Sequence, residues 1–132
     1  MNNLVSEQVA IKDVERWLNF RRISDKRRED LKDQIDAIIE MVMDGSLIVN
    51  EDCTLKYTLA FSDGLPWTEL KFKNRLQVRD VHEILRNHVK SGDGDGRIYA
   101  YLSALAGITF GEIRLLDSYD SGRLANISVF FM

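Results

Sequence analysis

Arg97-Ile-Tyr-Ala-Tyr-Leu-Ser-Ala-Leu-Ala-Gly107 runs into Ile108-Thr-Phe-Gly-Glu-Ile-Arg-Leu-Leu116 and then into a closing segment, Asp117 to Met132. Ile98, Tyr101, Leu102, Leu105 and Ala106 recur at helical spacing, which predicts an amphipathic helix over residues 97–106. Gly107 stands where a left-handed C-cap belongs. Thr109 and Glu112 have the T-x-x-E spacing of a capping box, and Ile108 and Ile113 flank the cap as a hydrophobic staple does. A short helix over residues 110–116 follows. Asp120 is the expected cap of the last helix, with Tyr119 and Leu124 as its staple. Leu124, Ile127 and Phe131 share one face of that helix, while Val129, Phe130 and Met132 carry apolar surface beyond a single stripe.

The rest of the chain fits around this segment. Ser6 is placed to cap a helix running to about Asn19, with Ala10, Val14, Trp17 and Leu18 on one face. Ser24 or Asp25 opens a second, longer helix on which Leu31, Ile35, Ile38, Ile39, Val42 and Met43 keep the helical period until Gly45. The short turn between them predicts a helical hairpin. From Leu47 the period changes. Leu55, Tyr57, Leu59 and Phe61 alternate with polar or small residues, Ser62-Asp-Gly-Leu-Pro66 is turn chemistry, and residues 67–73 return with Leu70 and Phe72 facing inward. Residues 47–49 can add a third strand. Val78, Val81, Leu85 and Val89 line a further helix over residues 76–90. Ser91-Gly-Asp-Gly-Asp-Gly96 then reads as a flexible linker. The expected fold is α+β in one domain of 132 residues: a helical hairpin (1–45), a small antiparallel hairpin or meander (46–75), and four further helices (76–132).

Composition narrows the function. A hydrophobic fraction of 45% with 30% charged residues is that of a soluble globular domain, and a net charge of −3 gives no general attraction to nucleic acid or anionic membrane. The lone Cys53 excludes an internal disulfide and suits a reducing cytoplasm. No apolar run reaches the roughly 20 residues of a membrane span, and the first residues lack the basic and apolar regions of a signal peptide. Neither a metal nor a cofactor is expected. Asp93 and Asp95 supply too few oxygens for calcium, and the glycine spacing of residues 92–96 is wrong for a dinucleotide loop. His82 and His88 are six apart rather than four, and no nucleophile motif is present, so the chain reads as a binding protein and not an enzyme. The one concentrated charge signal is a patch of Arg16, Arg21, Arg22, Lys26, Arg27 and Arg28. It is able to meet phosphates, which makes a small regulatory or DNA-associated protein the second expectation. Glu15, Asp25, Glu29, Asp30 and Asp33 are interleaved or adjacent, so a solvated face with i, i+4 ion pairs is favoured over nucleic-acid binding.

The C-terminal punctuation resembles that of the phage tail assembly chaperones. In that family a small helix ends in a Leu-x-Gly-like turn. A short helix with Ile or Leu follows, then Leu-Asp, a second Asp and a terminal apolar helix. The matching residues are Leu102, Leu105, Gly107, Ile113, Leu116, Asp117, Asp120 and Leu124. Upstream, Glu69-Leu-Lys-Phe72 with Leu76, Asp80 and Val81 is similar to the family's strand-then-helix passage, although Asn74-Arg-Leu-Gln stands where a Pro-Thr-type start is usual. The resemblance spans residues 55–132. It implies a protein of the host cytoplasm that coats the tape-measure protein during tail assembly, and that is sometimes also made in a longer, frameshifted form. Such a role requires an apolar surface for amphipathic helices, and Met41, Met43, Phe110 and Phe130 suit it. Phe110, Val129, Phe130, Phe131 and Met132 are therefore the candidate interaction residues, toward a tape-measure-like helical protein or a second copy of the chain.

Overall fold

The computed structural model describes residues 4–132; residues 1–3, which the sequence reading places in the helical-hairpin segment, lie outside it. The fold is α+β, with seven helices and one three-stranded sheet among the described residues. α1 (Glu7–Phe20) is capped by Ser6, whose hydroxyl accepts from the Val9 amide at 3.3 Å. The expected long second helix is two helices, α2 (Asp25–Asp30) and α3 (Lys32–Met43), with a break at Leu31. The reason is visible in the residues. All six of α2 are charged and none is buried, so this turn has no apolar face to hold it in line with α3. α3 packs on α1 as a helical pair, burying Trp17 and Leu18 of one with Ile38 and Val42 of the other, while Leu31 and Ile35 remain half-buried at the end of the seam.

β1 (Leu47–Val49), β2 (Leu55–Thr58) and β3 (Glu69–Phe72) form an antiparallel meander in sequence order. The register sets Leu47 opposite Tyr57, Val49 opposite Leu55, Leu55 opposite Phe72 and Tyr57 opposite Leu70. All six of these side chains are buried, so one face of the sheet is core. The alternation stops short of Phe61, which is 54% exposed. β2 ends at Thr58, and the backbone beyond it finds another partner, described below.

α4 (Val78–His88) carries a satellite core in which Val81 meets Ala100 and Ala104 of α5 (Gly94–Ala106). Val78, placed on the apolar line by its spacing, is 81% exposed because it opens the helix beyond the reach of α5. α5 is the central helix, touching β3, α4, α6 and α7. It therefore buries Ala100, Leu102, Ser103, Ala104 and Leu105 around most of its girth, where the sequence predicts a single stripe. Gly107 ends it at φ +70°, a conformation costly for any residue with a Cβ. α6 is only Phe110–Ile113; its Thr109/Glu112 capping box is formed in both directions, at 3.0 and 2.9 Å.

α7 (Ser118–Ser128) closes the core between α3 and α5. Its cap is Asp117, not Asp120: an oxygen of Asp117 accepts from the Tyr119 amide at 2.9 Å. Asp120 is fully buried instead. One of its oxygens accepts from the Tyr57 hydroxyl at 2.6 Å and the Ala60 amide at 3.0 Å, and the other from the Phe61 amide at 3.1 Å. A buried polar group is tolerated only when so satisfied. Burial, then the adjacent Asp120, pushes the Tyr57 hydroxyl well above its usual titration range, so it remains a proton donor throughout working conditions.

Two expectations follow. Removing Asp120 leaves the buried Tyr57 hydroxyl unmet, at about 1–3 kcal/mol, and loses two charge-assisted bonds from the Ala60 and Phe61 amides, at about 1 kcal/mol or more each. Asp120→Ala should therefore lose about 3 kcal/mol or more in a urea titration, against about 1 kcal/mol for Tyr57→Phe, and the double variant should lose less than the sum. Additive losses would contradict the shared network. Ile38→Ala should cost about 2–5 kcal/mol, and a loss well below that range would deny it a core position.

Candidate functional site

The two candidate surfaces of the sequence reading meet in space. Of the C-terminal group, Phe130 is only 3% exposed and packs edge-on against Trp17, with ring centroids 5.4 Å apart. Helix α7 stops at Ser128, and Phe130 and Phe131 close the chain in turns, bonding back to Ile127 and Ser128. The terminal segment thus wraps back onto the core, which removes Phe130 from the interaction surface. Val129 and Phe131 are half-buried and pack on the same cluster. Met132, 39% exposed, is the most open of the group. Phe110, on the far side of α5, is half-buried and stacked on the His88 ring at 4.8 Å.

The basic patch holds this terminus in place. Arg21 donates to the Phe130 carbonyl at 3.1 Å and lies 3.8 Å over the Phe131 ring. Arg27 donates to the Val129 carbonyl at 2.7 Å. Both act on carbonyls past the end of α7, which have no helical partner and carry the negative end of its dipole. Burial, then Arg75, lowers the pKa of the Arg21 guanidinium. Arg16 grips the β1–β2 turn through the Asn50 and Val49 carbonyls at 2.8 and 3.1 Å, next to buried Cys53. Arg28 binds the Ile23 carbonyl and the Asn19 side chain. Four of the six cations are thus engaged inside the molecule, and Arg22 and Lys26 are left exposed. A phosphate-binding face would need these groups free to point outward together.

The glycine-rich segment is also corrected. Residues 94–96 form the first turn of α5, and Asp93 is its N-cap, accepting from the Gly96 amide at 2.9 Å. A sequence run of three glycines looks flexible, but an Asp followed by a helix period is equally a cap. Among the described residues no group of three or more His, Cys, Asp or Glu side chains is arranged to hold a metal ion. No described helix is long and apolar enough to cross a membrane.

A concave surface lies elsewhere, between α1 and α3. Glu7 and Ile11 of α1 face Asp36, Ile39, Glu40 and Met43 of α3 across an open groove of about 550 Å³, which Asp44 also lines. Ile11, Ile39 and Met43 are half-buried, while Glu7, Asp36 and Glu40 are exposed. Asp44 is occupied: Arg123 donates to it at 2.6 Å, and the Ser46 amide at 2.9 Å. Its burial would raise its pKa, but the bonds from Ser46 and Arg123 outweigh this and hold the carboxyl below the usual range. Sequence periodicity placed Ile39 and Met43 on the core face and could not foresee a groove, because the spacing of two helices is set by the side chains between them.

A group whose folded pKa is depressed stabilises the fold above its unfolded value and loses that contribution as pH falls. The Asp44–Arg123 pair ties α3 to α7, so its contribution should be present above the ordinary value of 3.8 and fade below it. In thermal melts the gap between the native chain and Asp44→Asn should be largest near neutrality and shrink toward about pH 2–3. A gap independent of pH would contradict this assignment. Set against known proteins, the chain matches no family model, no curated protein and no solved structure.

Proposed function

We propose that the chain is a phage or prophage tail assembly chaperone, a non-enzymatic protein of the host cytoplasm that binds the long helical tape-measure protein while the tail is built. The observation that supports the reading best is the coincidence of the resemblance with the points where this chain turns. Gly107 takes the left-handed C-cap, Asp117 caps α7, Asp120 is the buried tie to β2, and Ile113 and Leu124 are buried beneath them. In this chain these residues set the packing of three successive helices, which is the support the resemblance draws on. The engagement of Arg16, Arg21, Arg27 and Arg28 within the molecule weighs against the alternative, a DNA-associated protein.

The test is direct. A fragment of a long helical protein encoded beside this chain is refolded with and without it, and light scattering is followed. The chaperone reading predicts suppression of aggregation and a co-eluting complex that persists when salt is raised. No complex, together with duplex-DNA binding that weakens steeply with salt, would replace it with the regulatory alternative.

A further inference from the structure

We infer that the groove between α1 and α3 is a docking site for a basic amphipathic helix of a protein partner. The inference rests on the chaperone reading only for the partner's biological identity. On α3, Asp36 and Glu40 are four apart, and so are Ile39 and Met43, giving an acidic row beside an apolar row. α1 adds one residue of each kind, the exposed Glu7 and the half-buried Ile11 one turn on. The groove thus has an apolar floor with carboxylates on both walls. This is the complement of a helix with apolar residues at i, i+3, i+4 and i+7 and with Lys or Arg on either side of that stripe.

The surrounding charges favour such a helix over other occupants. Asp44 is neutralised by Arg123, and Lys32 lies 4.0 Å from Asp36 at an exposed i, i+4 position where it attenuates the charge weakly. Neither Glu7 nor Glu40 forms an ion pair among the described residues. A second copy of the chain is a poor occupant, because a two-fold interface would set these acidic walls against their own copies. Duplex nucleic acid is repelled by the same charges. A small molecule would need convergent polar groups to orient it, whereas here the unpaired carboxylates are exposed and the half-buried lining is Ile11, Ile39 and Met43.

Two helical peptides of about 18 residues probe the site, with the same Leu/Met stripe but flanked by Lys in one and by Glu in the other. Binding to the full chain is read by fluorescence anisotropy. The Lys peptide should bind, the Glu peptide at least about tenfold more weakly, and added salt should weaken the Lys peptide without abolishing it. Glu40→Lys should weaken the Lys peptide about tenfold by reversing a wall charge. Ile11→Ser, by removing part of the floor, should weaken both peptides. Melting curves check that each variant is folded, and a variant that fails to fold is replaced by Glu7→Gln. No binding of the Lys peptide, equal binding of both peptides, or unchanged affinity in the folded variants would each overturn the site. A dimer that Glu40→Lys abolishes would overturn it too, by naming a second copy as occupant. A tape-measure fragment that binds native chain and variants alike leaves the chaperone reading standing and rejects the groove as its docking site. A fragment that does not bind while the Lys peptide does gives the converse.

Discussion

The fold depends on how the polar atoms of Asp120 are satisfied in the interior. α7 has to cross from the end of β2 to the seam of α3 and α5, and the first turn of that helix carries Asp120 inward with no exposure to solvent. Left alone, this side chain would cost more than the apolar burial of its neighbours returns. The Tyr57 hydroxyl and the amides of Ala60 and Phe61 meet it from the sheet. One interaction therefore does three things: it terminates β2, it sets the position of α7 along the sheet, and it brings Leu124 and Ile127 onto the core.

At its other end α7 is held by cations. Arg21 and Arg27, from the α1–α2 corner, donate to the carbonyls of Phe130 and Val129. These bonds join residues more than a hundred positions apart, and they give two cations of the basic stretch a structural role. Arg21 and Arg27 complement the end of a helix dipole, and the interleaved carboxylates of α2 face solvent. The apolar terminus and the basic patch, two separate functional candidates when read along the chain, are two halves of one structural joint. The groove lies at the other end of α1, where Glu7 and Ile11 face α3.

Local features were legible from residues alone. The Ser6 cap, the Gly107 turn and the Thr109/Glu112 box involve groups within a few positions of one another, and each formed as its spacing predicts. The meander was legible too, since Leu55 and Tyr57 alternate toward one face. Errors arose where a residue serves a distant partner. Asp120 has the composition of a cap, yet its spacing with Leu124 and Ile127 puts it on the buried face. That signal was present, but Tyr57 as its partner was not deducible from one sequence. Phe130 looked surplus to a single stripe because the turn after Ser128 redirects it to Trp17. The break at Leu31 was hidden by a period that begins there, preceded by six charged residues with nothing to bury. The groove was invisible for a related reason: a helix period tells which residues face a neighbour, not how closely the neighbour approaches.

Amide hydrogen exchange at Ala60 and Phe61 tests the central claim most directly. Both residues lie beyond the last strand residue of β2 and are exposed, so ordinary loop amides there would exchange quickly. If the oxygens of Asp120 hold them, they should exchange as slowly as the paired amides of β2 and should lose that protection in Asp120→Ala while the α1–α3 amides keep theirs. Rapid exchange of both amides in the native chain would show that the tie is not made, and that α7 is seated by apolar packing alone.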